Sequence, residues 1–228
     1  MYTLNGGIVV YIGEKEKLGN TVIIQGTDGI DYWYSNIENL SVNLYDYVEK
    51  NILLGTSIND YYEGDINLQI SRKLKKCLDD DYKVIMTRND EHFLGSSNNF
   101  IKKADLNERV RIIKESNCDI FLSIHQNFFP ISIYHGAEIH YNNINPNNKG
   151  LSFLLLNCIN MELSNTKRSI KENNEVYILK HINTPGCLIE CGYMSNSKEL
   201  SELLDENYQI RFVNAVKHGI DTYFSIKH

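Results

Sequence analysis

Asp119-Ile120-Phe121-Leu122-Ser123-Ile124-His125-Gln126-Asn127 passes abruptly from apolar to polar residues. A short apolar run of this kind reads as a buried strand. It delivers one imidazole at its carboxyl end, where ligands and chemistry collect in open α/β sheets. Cys187-Leu188-Ile189-Glu190-Cys191-Gly192-Tyr193 repeats the design with a carboxylate. A carboxylate ending an apolar strand is costly to bury unless it serves a site. Imidazole plus carboxylate, each at a strand end, points to a metal-assisted hydrolase site.

Working outward, helical and extended patterns alternate. Ile66, Ile70, Leu74 and Leu78 recur at i, i+4 and predict an amphipathic helix over 64–79. Lys83-Val84-Ile85-Met86-Thr87-Arg88 predicts a strand, residues 89–104 a polar surface loop, and 105–115 a helix with Leu106, Val110 and Ile113 inward. Residues 137–141 predict a strand and 142–148 a loop, because Pro146 precludes a helix there. An apolar helix is expected over 149–163, a short extended piece over 175–181, and helices over 197–204 and 207–223. This alternation predicts an α/β domain: a mostly parallel sheet with helices on both faces.

The bulk numbers agree with a folded domain. At 42% hydrophobic and 23% charged over 228 residues, the chain can build a packed core. A net charge of −6 argues against nucleic acid as the main partner, since phosphate binding wants a basic face. Cys77, Cys118, Cys158, Cys187 and Cys191 are odd in number and scattered, so they form no disulfide framework. No stretch reaches the length of a membrane span, and no basic segment followed by an apolar one marks a signal peptide. The chain opens inside a folded pattern, which suggests a truncated start or a lost upstream piece.

Residues 1–56 have a different texture. Strands are expected over 8–12, 21–25 and 31–34, with Gly19-Asn20 and Asp28-Gly29 as turn chemistry. Val42 to Ile52 alternates loosely. Gly7-Ile8-Val9-Val10-Tyr11, Gly19-Asn20-Thr21-Val22-Ile23-Ile24, Tyr32 to Asn36, and Val48-Glu49-Lys50 to Gly55 resemble the C-terminal half of LytM/lysostaphin-type zinc endopeptidase domains. Those enzymes carry a His-x-His pair where this chain has Tyr34-Ser35-Asn36. The resemblance therefore implies a degenerate, non-catalytic β segment, followed by a second domain over 57–228.

That second domain carries ordered words. They are Glu63-Gly64-Asp65-Ile66-Asn67-Leu68, Val84-Ile85-Met86-Thr87-Arg88, Asp105-Leu106-Asn107-Glu108-Arg109-Val110 and Ser123-Ile124-His125-Gln126-Asn127. Gly136-Ala137-Glu138-Ile139-His140-Tyr141, Val176-Tyr177-Ile178-Leu179-Lys180 and Leu188-Ile189-Glu190-Cys191-Gly192-Tyr193-Met194-Ser195-Asn196 complete them. Their order and spacing resemble the zinc-dependent N-acetylmuramoyl-L-alanine amidases of the family-3 type, most of all the germination-specific (CwlD-type) branch. The resemblance implies hydrolysis of the bond between muramic acid and the first L-alanine of the peptidoglycan stem peptide. Carried over, Glu63 and His125 are zinc ligands and Glu190 is the catalytic carboxylate working on the attacking water. Peptidoglycan is then the substrate, a protein partner is a further expectation, and the location is extracytoplasmic, in the cell wall or spore envelope.

The family's first zinc histidine lies in a Gly-His-Gly turn, and this chain has no such turn and no histidine before His92. Val22 to Asp31 faintly resembles the missing strand and turn, with Thr27 or Asp28 near the histidine's place; the endopeptidase-like alignment explains that stretch better. Two protein ligands hold zinc weakly. The expectation is weak metal binding with low or absent activity, and the alternative is an inactive amidase-like scaffold that binds peptidoglycan or a protein. His135, His140 and His181 are expected on or near strands in the same region, as surface or supporting residues. Arg109 and Arg111 are expected to pair with carboxylates and hold helix to sheet. Arg88, at a strand end, is expected to do the same or to line the substrate groove.

Overall fold

Val9, Val22, Ile24 and Tyr34 are buried at alternate strand positions and give the N-terminal strands one apolar face. The computed structural model describes residues 1–15, 19–35, 37–38, 40–57, 63–90, 94, 102–129, 131–165 and 167–227. Most of the polar loop expected over 89–104, with His92, lies outside them, as does His228. The chain divides into two compact units.

The first unit comprises Met1–Tyr62 with Phe128–Tyr134 and Met194–Ser197. Its strands β1 (Gly7–Lys15), β2 (Gly19–Gly26), β3 (Asp31–Tyr34) and β5 (Tyr47–Val48) form an antiparallel sheet ordered β3-β2-β1-β5. Two short strands, β4 (Ile37–Glu38) and β6 (Thr56–Ser57), pair separately. The β2–β3 turn uses Gly29 at φ +80°, a left-handed conformation glycine adopts without strain. Asp28 closes it by accepting from the Ile30 N–H. The loose alternation over 42–52 yields only the two residues of β5.

The second unit holds the words around His125 and Glu190. Its helices are α1 (Glu63–Leu78), α2 (Lys102–Ser116), α3 (Asn148–Leu163), α4 (Tyr177–His181), α5 (Ser197–Leu204) and α6 (Glu206–Lys227). Its strands are β7 (Phe121–Asn127), β8 (Glu138–Tyr141), β9 (Lys171–Glu172) and β10 (Gly186–Tyr193), ordered β7-β10-β8-β9. The β7–β10 and β8–β9 pairs are parallel, but β8–β10 is antiparallel. The sheet is thus mixed, where alternating helices and strands suggested a mostly parallel one.

Side-chain alternation divides the sheet's two faces. Phe121 and Leu188 pack with Val110 and Ile113 of α2 and Ile178 and Leu179 of α4. Ile189 and its register partners Ile124 and Ile139 point the other way, toward the layer of α1, α3 and α6. His125, two positions from Ser123 and four from Phe121, and Glu190, two from Leu188, share the α2–α4 face.

Two expected elements differ. Residues 83–88 belong to no strand. Side chains tie this segment down instead, with Arg109 Nη1 donating to Thr87 Oγ1 and Arg88 donating to the carbonyls of Gly64 and Asp90. The expected extended piece over 175–181 contains α4, because Ile178 and Leu179 are buried together against α2. A five-residue segment is too short for periodicity to distinguish strand from helix.

The β7–β10 pairing requires Gly186. A Cβ there would stand 2.2 Å from Phe121 Cδ1 and 2.6 Å from Phe121 O. Gly186→Ala is expected to destabilise the protein by about 3 kcal/mol, at the upper end of overpacking effects. Urea unfolding checks this, and a midpoint equal to the wild type's would contradict the close approach.

Candidate active site

The parallel register sets Glu190 opposite His125, and the antiparallel register sets Glu190 opposite Glu138. Three ionisable side chains therefore stand in one row across β7, β10 and β8, on one face. Glu63, the first residue of α1, reaches the same place: its Oε1 lies 2.8 Å from His125 Nδ1. Both side chains are partly open, at 40% exposed for His125 and 44% for Glu63.

Glu63 Oε1 also accepts from Asn67 Nδ2 at 3.0 Å and from the Gln126 N–H at 3.3 Å. Asn67 Oδ1 in turn accepts from Gln126 Nε2 at 3.0 Å. Burial alone would raise the Glu63 carboxyl, but the hydrogen bonds from His125 and Asn67 outweigh it and hold the group below its ordinary range. Arg88, donating to the Gly64 carbonyl, pins the helix start that presents Glu63. Arg88 thus meets backbone carbonyls, not the carboxylate expected of it.

Glu190 is placed differently. Its Oε2 is buried and, among the described residues, has no hydrogen-bond partner. Burial pushes its carboxyl upward, partly offset by the nearby His125, and the negative Glu63 adds to the rise. Such a carboxylate can take up a proton and release it.

Glu138, absent from the sequence-based candidates, is the most enclosed member of the row, its side chain 2% exposed. Its Oε1 contacts His140 Nε2 at 2.8 Å and Lys171 Nζ at 2.7 Å, and its Oε2 contacts Arg168 Nη1 at 3.1 Å. Burial works to raise this carboxyl, but His140 and Lys171 more than offset it and hold it down at about 2. The signal was present in the sequence: Glu138 interrupts an apolar strand as Glu190 does. Its cations lie 30 and 33 residues away, in a segment with no readable periodicity.

The other candidates separate. The Asn173 amide is oriented by the Glu175 N–H bonding its Oδ1, so its Nδ2 donates to His140 Nδ1 at 3.0 Å. His140 Nε2–H then donates to Glu138, and both ring nitrogens are engaged. His181 is on α4, not a strand; its Nδ1 bonds the Tyr177 carbonyl and its ring stacks on Tyr177 at 4.0 Å. The His135 carbonyl accepts from Arg168 Nε. Arg109 pairs with Asp105 at 2.6 Å. Among the described residues Arg111 pairs only with Glu108 and Glu115 of its own helix, not with the sheet. Asp28, in the first unit, is exposed and bonded to Tyr32 at 2.6 Å and Asn5 at 2.8 Å.

The Glu63 oxygen, the His125 nitrogen and an unpartnered buried Glu190 oxygen are the donor chemistry of hydrolytic zinc sites. Such sites usually take three protein ligands. Among the described residues no group of three or more His, Cys, Asp and Glu is arranged to hold a metal. Glu63 and His125 fit as two members of a ligand set.

The model of the family described as N-acetylmuramoyl-L-alanine amidase matches residues 22–222. The chain belongs to that family. The match begins inside β2 of the first unit. The germination-specific N-acetylmuramoyl-L-alanine amidase of Bacillus subtilis (strain 168) is 30% identical over 170 residues, covering 72% of each chain. The CwlD amidase from Clostridioides difficile, solved in complex with the GerS lipoprotein, is 36% identical with a TM-score of 0.66. That alignment covers 71% of this chain and 86% of that one. The catalytic domain of CwlV from Bacillus (Paenibacillus) polymyxa is 27% identical with a TM-score of 0.64, over 72% of this chain and 86% of that one.

The family resemblance read from the ordered words therefore holds, and the second unit has the α/β fold of these amidases. The protein is a peptidoglycan amidase by family. Between an enzyme and an inactive scaffold, these relatives favour the enzyme.

The Glu138 carboxyl sits below its ordinary value of 4.5, so it contributes stability that is present above that pH and lost as pH falls through about 2. Glu138→Gln should be less stable than wild type by on the order of 3 kcal/mol near neutral pH. The difference should shrink below about pH 4.5. Urea unfolding of both proteins across this range tests it; a pH-independent difference would contradict the ion-pair account.

Proposed function

We propose that this protein hydrolyses the amide joining the lactyl group of N-acetylmuramic acid to L-alanine of the stem peptide, with Glu190 as the catalytic carboxylate. The observation that carries the assignment is the register that sets a buried, unpartnered Glu190 oxygen opposite His125 and its partner Glu63.

Glu63 and His125 would hold a zinc ion. The chemistry such an ion supplies is acidification of water to a pKa of about 7 and polarisation of the scissile carbonyl. Glu190 accepts the proton of the attacking water and returns it to the departing alanine amine. Its burial suits this, because a raised carboxyl is a stronger base toward the attacking water and keeps the proton until the amine departs. Asn67 and Gln126 keep the Glu63 carboxylate aimed, as supporting shells commonly do for ligands.

Cell-wall or spore-cortex remodelling outside the cytoplasmic membrane is the setting we assign, from the germination-specific relative. Among the described residues no helix is long and apolar enough to cross a membrane. The relative solved with a lipoprotein supports a protein partner here as well. Residues 1–56 are read as the degenerate endopeptidase-like segment.

Purified protein is expected to release stem peptide from soluble muropeptides, and Glu190→Gln to lower the rate by about 10²- to 10⁴-fold, the usual range for a lost acid–base group. An unchanged rate in Glu190→Gln would remove this residue from the mechanism. Zinc bound by wild type, measured by elemental analysis after dialysis, is expected to fall in His125→Ala. Equal zinc in both proteins would place the metal elsewhere.

A further inference from the structure

Glu138 gathers more positive charge than it needs. One cation would neutralise a buried carboxylate, yet Arg168 and Lys171 both reach it, beside the imidazole of His140. Two cations thus face the single Glu138 carboxylate. Its two cations are held differently. Arg168 is fixed by Glu138, by the His135 carbonyl and by the face of the Tyr193 ring at 4.8 Å. Lys171 is anchored at one point, and half of its side chain (52%) stays exposed.

This charge has a definite position relative to the chemistry. Glu138 is the register partner of Glu190, and directly paired residues on neighbouring strands have Cβ atoms about 5 Å apart. Lys171 and Arg168 therefore stand on the side of Glu190 away from His125 and Glu63. A stem peptide leaving Glu190 through its alanine nitrogen places its next residue about one Cα spacing, roughly 4 Å, further on. In peptidoglycan that next residue is a glutamate whose α-carboxyl is either free or amidated.

We propose that Lys171, held with Arg168 by Glu138, binds the α-carboxylate of the residue following the alanine, and so sets this amidase's preference for acidic over amidated stem peptides. Lys171 is a specificity-determining residue in this account. Arg168 and Glu138 position it. The account rests on the amidase reading for the identity of the peptide, but not on turnover.

The test is calorimetric titration of the full chain with L-alanyl-D-glutamate and L-alanyl-D-isoglutamine, neither of which contains the scissile bond. Wild type is expected to bind the carboxylate form about fivefold more tightly, the factor a half-exposed ion pair supplies. Lys171→Met should abolish the preference while leaving the amide form's affinity unchanged, and Lys171→Arg should retain it. Equal affinity of wild type for the two dipeptides, binding of neither, or equal weakening of both in Lys171→Met would overturn the proposal. Thermal melting of each variant separates loss of the fold from loss of the charge. A parallel muropeptide assay keeps the two readings apart. Turnover without a carboxylate preference defeats this inference alone, and a preference without turnover defeats the amidase reading alone.

Discussion

The parallel pairing of β7 with β10 is the constraint on which the site depends. It sets Glu190 opposite His125, and strand alternation then places both on one face. A shift of one residue would send either side chain into the opposite layer, among Ile124 and Ile189. That shift is opposed by apolar burial on both sides of the sheet: Phe121 and Leu188 on one face, Ile139 and Ile189 on the other. The chemistry is thus held in register by residues that take no part in it.

Around this pairing the protein treats its three carboxylates in three ways. Glu63 sits half-open at a helix start, with its oxygen shared among an imidazole, an amide and a backbone N–H. Glu138 is enclosed and ion-paired until its proton is held off down to about 2. Glu190 is enclosed with no partner for one oxygen among the described residues, and its carboxyl rises. Identical functional groups around one site therefore stand in different settings: one shared among hydrogen-bond donors, one locked in ion pairs and one buried with an oxygen left open. Environment, more than residue type, makes that division.

The long elements were legible in the sequence. The i, i+4 pattern of Ile66, Ile70, Leu74 and Leu78 predicted a helix over 64–79, and α1 spans Glu63–Leu78. The apolar runs ending at His125 and Glu190 are strands that meet side by side. Short elements were not legible, because periodicity needs length. The five residues of α4 looked extended, and residues 83–88 looked like a strand although their ties are side-chain bonds. Strand direction was equally hidden. Whether β8 runs with or against β10 depends on how the intervening chain crosses the sheet, which residue patterns do not encode.

For the site, the sequence by itself determined which residue types stand at strand ends, and the ordered words around Glu63, His125 and Glu190 identify the family. Those signals are local: a polar residue closing an apolar run reports its own burial cost wherever its partner lies. Only the tertiary structure decided that Glu138 belongs to the row and that Arg168 and Lys171 stand over it. It also decided that His140, expected as a surface or supporting residue, has both ring nitrogens engaged. Those facts depend on register across three strands and on a segment 30 residues from Glu138. Electrostatic partnership is set by distance in space, and a chain's residue pattern records only distance along itself.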